Sequence, residues 1–171
     1  MNTITALNNP YGEDKVIDAC GLFGMMDLTG RRFGSKAPIK AISNMHERGN
    51  GLGGGFAIYG LYPQHKDDYA FHIMYLNRES KEKTDRFLAK NFDVLQAEEM
   101  HVNPAANVWN PPIIWRYFLQ PKTATIFQSN DEYVVKNVMR INMETGGAFV
   151  FSSGKNMGVF KGVGFPEDVA E

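Results

Sequence analysis

One cysteine in 171 residues excludes an internal disulfide, so a scaffold held together by cross-links is ruled out. No stretch approaches the roughly 18 consecutive apolar residues that a membrane-spanning helix needs. The first 19 residues also lack the continuous apolar core of a secretory signal. Neither charge predominates: 18 Lys and Arg stand against 19 Asp and Glu, a formal net charge of −1. The broad positive footprint expected of a nucleic-acid or anionic-membrane binder is therefore missing. His46, His65, His72 and His101 fall at no spacing that suits a metal site and read as structural or solvent-facing. Ser152-Ser153-Gly154 lacks the flanking pattern of a nucleophile elbow, which leaves a serine triad unsupported. What remains is a small-metabolite partner, no nucleic acid, no membrane and a reducing cytoplasmic setting.

What is present suits one domain with a real core, at 43% hydrophobic and 22% charged. The alternation of strand-like and helix-like stretches predicts an α+β fold. Residues 1–15 are mostly polar, with Asn9-Pro10 and Tyr11-Gly12 as turn signals, so residues 1–19 read as a leader or propeptide ahead of a domain over 20–171. Residues 22–27 predict a short buried strand closed by Thr29-Gly30. Ser35 and Pro38 predict a helix start, with Ile39, Ile42 and Met45 or His46 on one face and Gly49 as the stop.

Further along, Phe56-Ala57-Ile58-Tyr59 is strand-like, and residues 69–76 suit a strand covered on both faces. Residues 79–91 predict a charged, exposed helix, residues 103–112 a loop and residues 113–119 another strand. Ser129 with Glu132 makes a capping-box pattern for a helix whose inward surface is Tyr133, Val134, Val138 and Ile141, with Val135 a further candidate. Gly146-Gly147 ends that helix before a strand at 148–151. Gly154 then marks a turn into residues 157–161, expected as a hairpin partner. Phe165-Pro166 begins like a helix but has only about one turn of chain left, so the domain is expected to be incomplete at its C-terminus.

Cys20 sits between Ala19 and Gly21, which leaves its sulfur free of neighbouring bulk, as a nucleophile requires. If Cys20 were the first residue, its own α-amino group, with a free pKa of roughly 7.7 to 8, would serve as the base. That requires removal of residues 1–19. The plainer alternative is a buried cysteine acting as a small hydrophobe. Downstream, Gly49-Asn50-Gly51-Leu52-Gly53-Gly54 matches the letters of a dinucleotide fingerprint, but it follows a helix and leads into a strand, the reverse of the context in which that fingerprint works. The glycines are better explained as letting backbone pass close to a nucleophile and a small substrate.

Cys20-Gly21-Leu22-Phe23-Gly24, read with His46-Glu47-Arg48-Gly49-Asn50-Gly51-Leu52-Gly53-Gly54-Gly55-Phe56-Ala57-Ile58-Tyr59-Gly60, resembles class II glutamine amidotransferases, in particular the glutaminase subunits related to glutamate synthase. The resemblance continues through Ile114-Trp115-Arg116-Tyr117-Phe118 and from Phe151 to Asp168, and covers the front part of that family's domain. It implies an N-terminal-nucleophile hydrolase, an αββα sandwich, with Cys20 catalytic and Gly21, Arg48, Gly49 and Asn50 supporting the substrate site. It also implies glutamine as substrate and an ammonia-accepting synthase domain or subunit as partner. A complementary chain would complete the domain. No cofactor is expected in this chain, any iron–sulfur or flavin chemistry belonging to the partner. Two other readings stand beside it: a non-catalytic assembly subunit with the same fold, and a nucleotide-binding module using the glycine-rich loop.

Overall fold

The computed structural model describes residues 20–49, 51–101, 111–122, 129–165 and 169. In chain order its elements are α1 (Lys36–Ser43), β1 (Gly54–Tyr59), β2 (Tyr69–Tyr75), α2 (Arg78–Asn91), β3 (Phe92–Glu99), β4 (Ile113–Pro121), α3 (Asn130–Glu144), β5 (Ala148–Ser152) and β6 (Met157–Gly162), with 3-10 turns at His46–Arg48 and Pro63–His65. The fold is mixed α and β, with two antiparallel sheets.

Strand β2 holds the larger sheet together because its sequence is apolar on both faces; six of its seven residues are buried. It pairs with β4 on one side and β5 on the other, and β3 joins beyond β4, giving the order β3-β4-β2-β5. Tyr69, Phe71, Ile73 and Tyr75 point to one face, where they pack with Leu88 of α2 and Ile141 of α3 into the main core. Ala70 and His72 point to the other face, as the two-residue period of a strand demands. There Ala70, Phe118 and Tyr62 form a smaller cluster.

Both long helices carry a side-chain cap, expected for α3 alone. The Ser129 side chain accepts from the Glu132 amide at 3.1 Å, and Asn77 does the same for Ser80 at 2.9 Å. Helix α2 carries the charge expected of it but also a buried stripe of Ser80, Thr84 and Leu88. Its hydroxyls need no water, because Ser80 donates to the Gly146 carbonyl at 2.8 Å and Thr84 to the Ser80 carbonyl at 2.9 Å. On α3, Tyr133, Val134, Asn137 and Ile141 are buried and Val138 packs beside them. Val135 is a correction: it faces outward, on a stripe with Met139 and Met143.

Among the described residues the second sheet is the pair β1–β6. The expected hairpin between residues 148–151 and 157–161 is thus corrected, since the chain leaves the larger sheet after Lys155, and β6 pairs with β1, about a hundred residues earlier in the chain. Asn156 makes the corner, with φ at 49° and its side chain accepting from the Tyr62 amide at 2.7 Å. The small sheet faces the larger one: Phe160 of β6 meets the His72 ring edge-on at 5.2 Å between centroids.

The strand expected over residues 22–27 does not form. Those residues have no ladder partner, and Leu22 and Met26 lie open to solvent. An apolar run forms a strand only where an edge and a facing surface receive it, and no described element provides them. Helix α1 starts at Lys36 after Ser35, as expected, but the Ser35 side chain makes no capping bond and no residue of the helix is fully buried. It ends at Ser43, so Gly49 closes the following 3-10 turn instead. The leader 1–19 and most of the loop expected at 103–112 lie outside the described residues. The Val169 amide donates to the Phe165 carbonyl at 3.2 Å, a helical bond where a helix start was expected.

Candidate active site

The glycines decide how the N-terminal segment meets the rest of the chain. A Cβ at Gly21 would lie 3.1 Å from that of Met45 and 3.7 Å from that of Arg48, so the backbone next to Cys20 rests against the 3-10 turn His46–Arg48. That turn is closed by bonds from the Arg48 amide to Met45 and from the Gly49 amide to His46, at 2.8 and 2.9 Å. Beyond it, Phe165 lies over the loop. A Cβ at Gly49 would be 3.4 Å from its ring and one at Gly51 only 3.2 Å, while the ring stacks on His46 with centroids 3.8 Å apart. Gly51 also has φ at +71°, a conformation that L side chains rarely adopt.

Cys20 is exposed and unpaired by any disulfide. The structure therefore sets aside the alternative of a buried, inert thiol. It brings Gly21, the residue after Cys20, against Arg48, which Gly49 follows in the chain, with Arg48 itself exposed. Asn50 lies outside the described residues. Met45, His46 and Phe165 were not foreseen as part of this cluster. Phe165 is more than a hundred residues away in sequence, and nothing in the local pattern around it names its partner. The run from Gly49 to Gly54 enters strand β1 and is preceded by a 3-10 turn, so no helix begins after the glycines to receive a pyrophosphate.

A second polar cluster lies between the sheets. His72 is fully buried opposite Arg116 of β4, and its Nε2 is 2.6 Å from the Tyr62 hydroxyl. Burial, and secondarily the Arg116 charge, pushes the imidazole down to about 4, so the ring is neutral near pH 7. Arg116 donates to Tyr62 at 3.4 Å and pairs with Glu98 of β3. Phe118 carries the ring of His65 stacked on it at 3.8 Å. His65 Nδ1 also lies 2.8 Å from the Asp68 carboxylate, whereas the buried Nδ1 of His72 has no hydrogen-bond partner among the described residues. Among the described residues no three His, Cys, Asp or Glu side chains converge as a metal site, and no helix is long and apolar enough to cross a membrane.

Over nearly its whole length the chain is similar to an archaeal protein. The match is to an uncharacterized protein of Archaeoglobus fulgidus, 57% identical over 162 residues, covering 92% of this chain. The chain spans 43% of the length of that relative. No family model and no solved structure matches it. Identity at that level carries the fold of these residues to the Archaeoglobus relative, more than half of which lies outside the match.

Proposed function

We propose that the protein takes part in glutamine amide hydrolysis, as the front part of a class II amidotransferase domain that hands ammonia to a synthase-type domain or subunit. The observation that carries this is an exposed lone thiol whose neighbouring glycine packs against the Arg48–Gly49 turn, backed by a glycine loop. Two facing antiparallel sheets, with helices α2 and α3 on the outer side of the larger, are compatible with an αββα N-terminal-nucleophile sandwich.

In this reading residues 1–19 are removed, and the freed amine of Cys20 takes the thiol proton. The thiolate attacks the side-chain carbonyl carbon of glutamine, and the C–N bond breaks as that proton passes to the leaving ammonia. A γ-glutamyl thioester remains, and water hydrolyses it to glutamate and restores the thiol. Arg48 and the Gly49–Asn50 backbone support the substrate. Residues that would grip the substrate carboxylate and complete an oxyanion site find no match in this sequence. Each missing oxyanion donor costs roughly 10²- to 10³-fold in rate, so the chain alone is expected to be a poor glutaminase.

Intact-mass analysis after treatment with a glutamine-mimicking electrophile tests the proposal. Loss of residues 1–19 together with a single adduct on Cys20, abolished by Cys20→Ser, supports it. An uncut leader and an unreactive thiol overturn it. They would favour a non-catalytic assembly subunit, a reading that draws on the absence of any buried residue among the described residues 20–61.

A further inference from the structure

From residue 20 to residue 61 no described residue is buried, although the segment is rich in large apolar side chains. Leu22 is 89% exposed, Leu28 91% and Tyr59 77%. Fixing each residue of such a segment costs roughly 1–2 kcal/mol of conformational entropy, and no fully buried side chain of the segment offsets it. The sheet that the segment joins has the same character. Both β1 and β6 are edge strands, and two strands alone are at best marginally stable in water. Phe56 and Phe160 share the face turned to the larger sheet, so their neighbours Gly55, Ala57, Tyr59 and Val159 form the opposite face. Gly55, Ala57 and Tyr59 are exposed, and an open groove of ≈ 450 Å³ runs along the two strands.

We infer that this surface is a docking site for a polypeptide homologous to the part of the Archaeoglobus relative that lies outside the match. The relative is 57% identical to this chain over 162 residues, so it builds the same two strands, and more than half of its own length lies outside the match and has to be placed somewhere. That additional polypeptide pairs with an open edge of the β1–β6 sheet and covers its outer face and residues 22–28. The inference does not depend on the chemistry of Cys20.

The test is to co-express the full chain with the unmatched part of the relative, then to measure stoichiometry by analytical ultracentrifugation and protection by hydrogen exchange. The expected product is a one-to-one complex in which amides of β1, β6 and residues 22–28 exchange at least tenfold more slowly than in the chain alone, while β2 and β4 are unchanged. Tyr59→Asp with Val159→Asp should lower the yield of complex at least tenfold and leave exchange in β2 and β4 as it was. Slowing confined to the outer stripe of α3, at Val135, Met139 and Met143, overturns the inference. So does a homodimer of the chain alone that protects the same strands. If the co-expressed fragment does not fold, the intact relative decides: its residues aligned with β1 and β6 must be slow to exchange, and exchange as fast as in the free chain refutes the proposal.

Discussion

Residues 62–152 contain every buried hydrophobic side chain among the described residues, and residues 20–61 contain none. Both regions are supplied with large apolar residues, so composition is not what separates them. In the first region each apolar face meets another: β2 lies between β4 and β5 and has α2 and α3 across one face. In the second, α1, the extended segment and β1 each offer a face that no described element receives. Burial is a property of pairs of surfaces.

Truncation in the packed region should give the largest effect. Leu88→Ala removes a fully buried side chain of α2 and should cost about 2–5 kcal/mol in urea unfolding; a loss below about 1 kcal/mol would break the contrast between the regions. Next comes pH. His72 titrates near 6.5 in an unfolded chain and near 4 when folded, so its contribution is fully present above pH 6.5 and is lost as pH falls toward 4. Unfolding at pH 7 and pH 4.5 should show a loss of about 2 kcal/mol from this group, and His72→Phe should flatten that part of the profile. Removing the cap with Ser129→Ala should cost about 1 kcal/mol by the same measurement. Smallest of all, Leu22→Ala and Leu28→Ala should stay within about 0.5 kcal/mol of the parent, and a larger penalty would mean that the segment is packed in solution.

The sequence was most legible where one short rule sufficed. A stretch rich in aromatic and apolar residues predicts β2 as a doubly covered strand, and Ser129 with Glu132 predicts the start of α3. Strand β3 was not foreseen, because an edge strand with most of its residues exposed shows no clean alternation, and a bulge between Val94 and Gln96 breaks what there is. The inward face of α2 was hidden because two of its three buried residues are Ser and Thr, whose polarity is answered by backbone carbonyls nearby. At the candidate site, Cys20 and the glycine loop stood out for their smallness. Their neighbours Met45 and Phe165 did not, since a contact between distant residues leaves no local mark. Residues 22–27 misled for the opposite reason: a strand-like pattern states a capacity to pair, not the presence of a partner.

The pairing of β1 with β6 also fixes an order of events during synthesis. Some hundred residues must be added between the emergence of β1 and that of its partner, roughly 5–20 s on a ribosome moving at about 5–20 residues per second. Phe165, which caps the glycine loop, arrives later still. The glycine loop near the thiol is therefore completed late although its sequence is translated early, and a chaperone that shields residues 20–61 in that interval would act on a long-waiting part of the nascent chain.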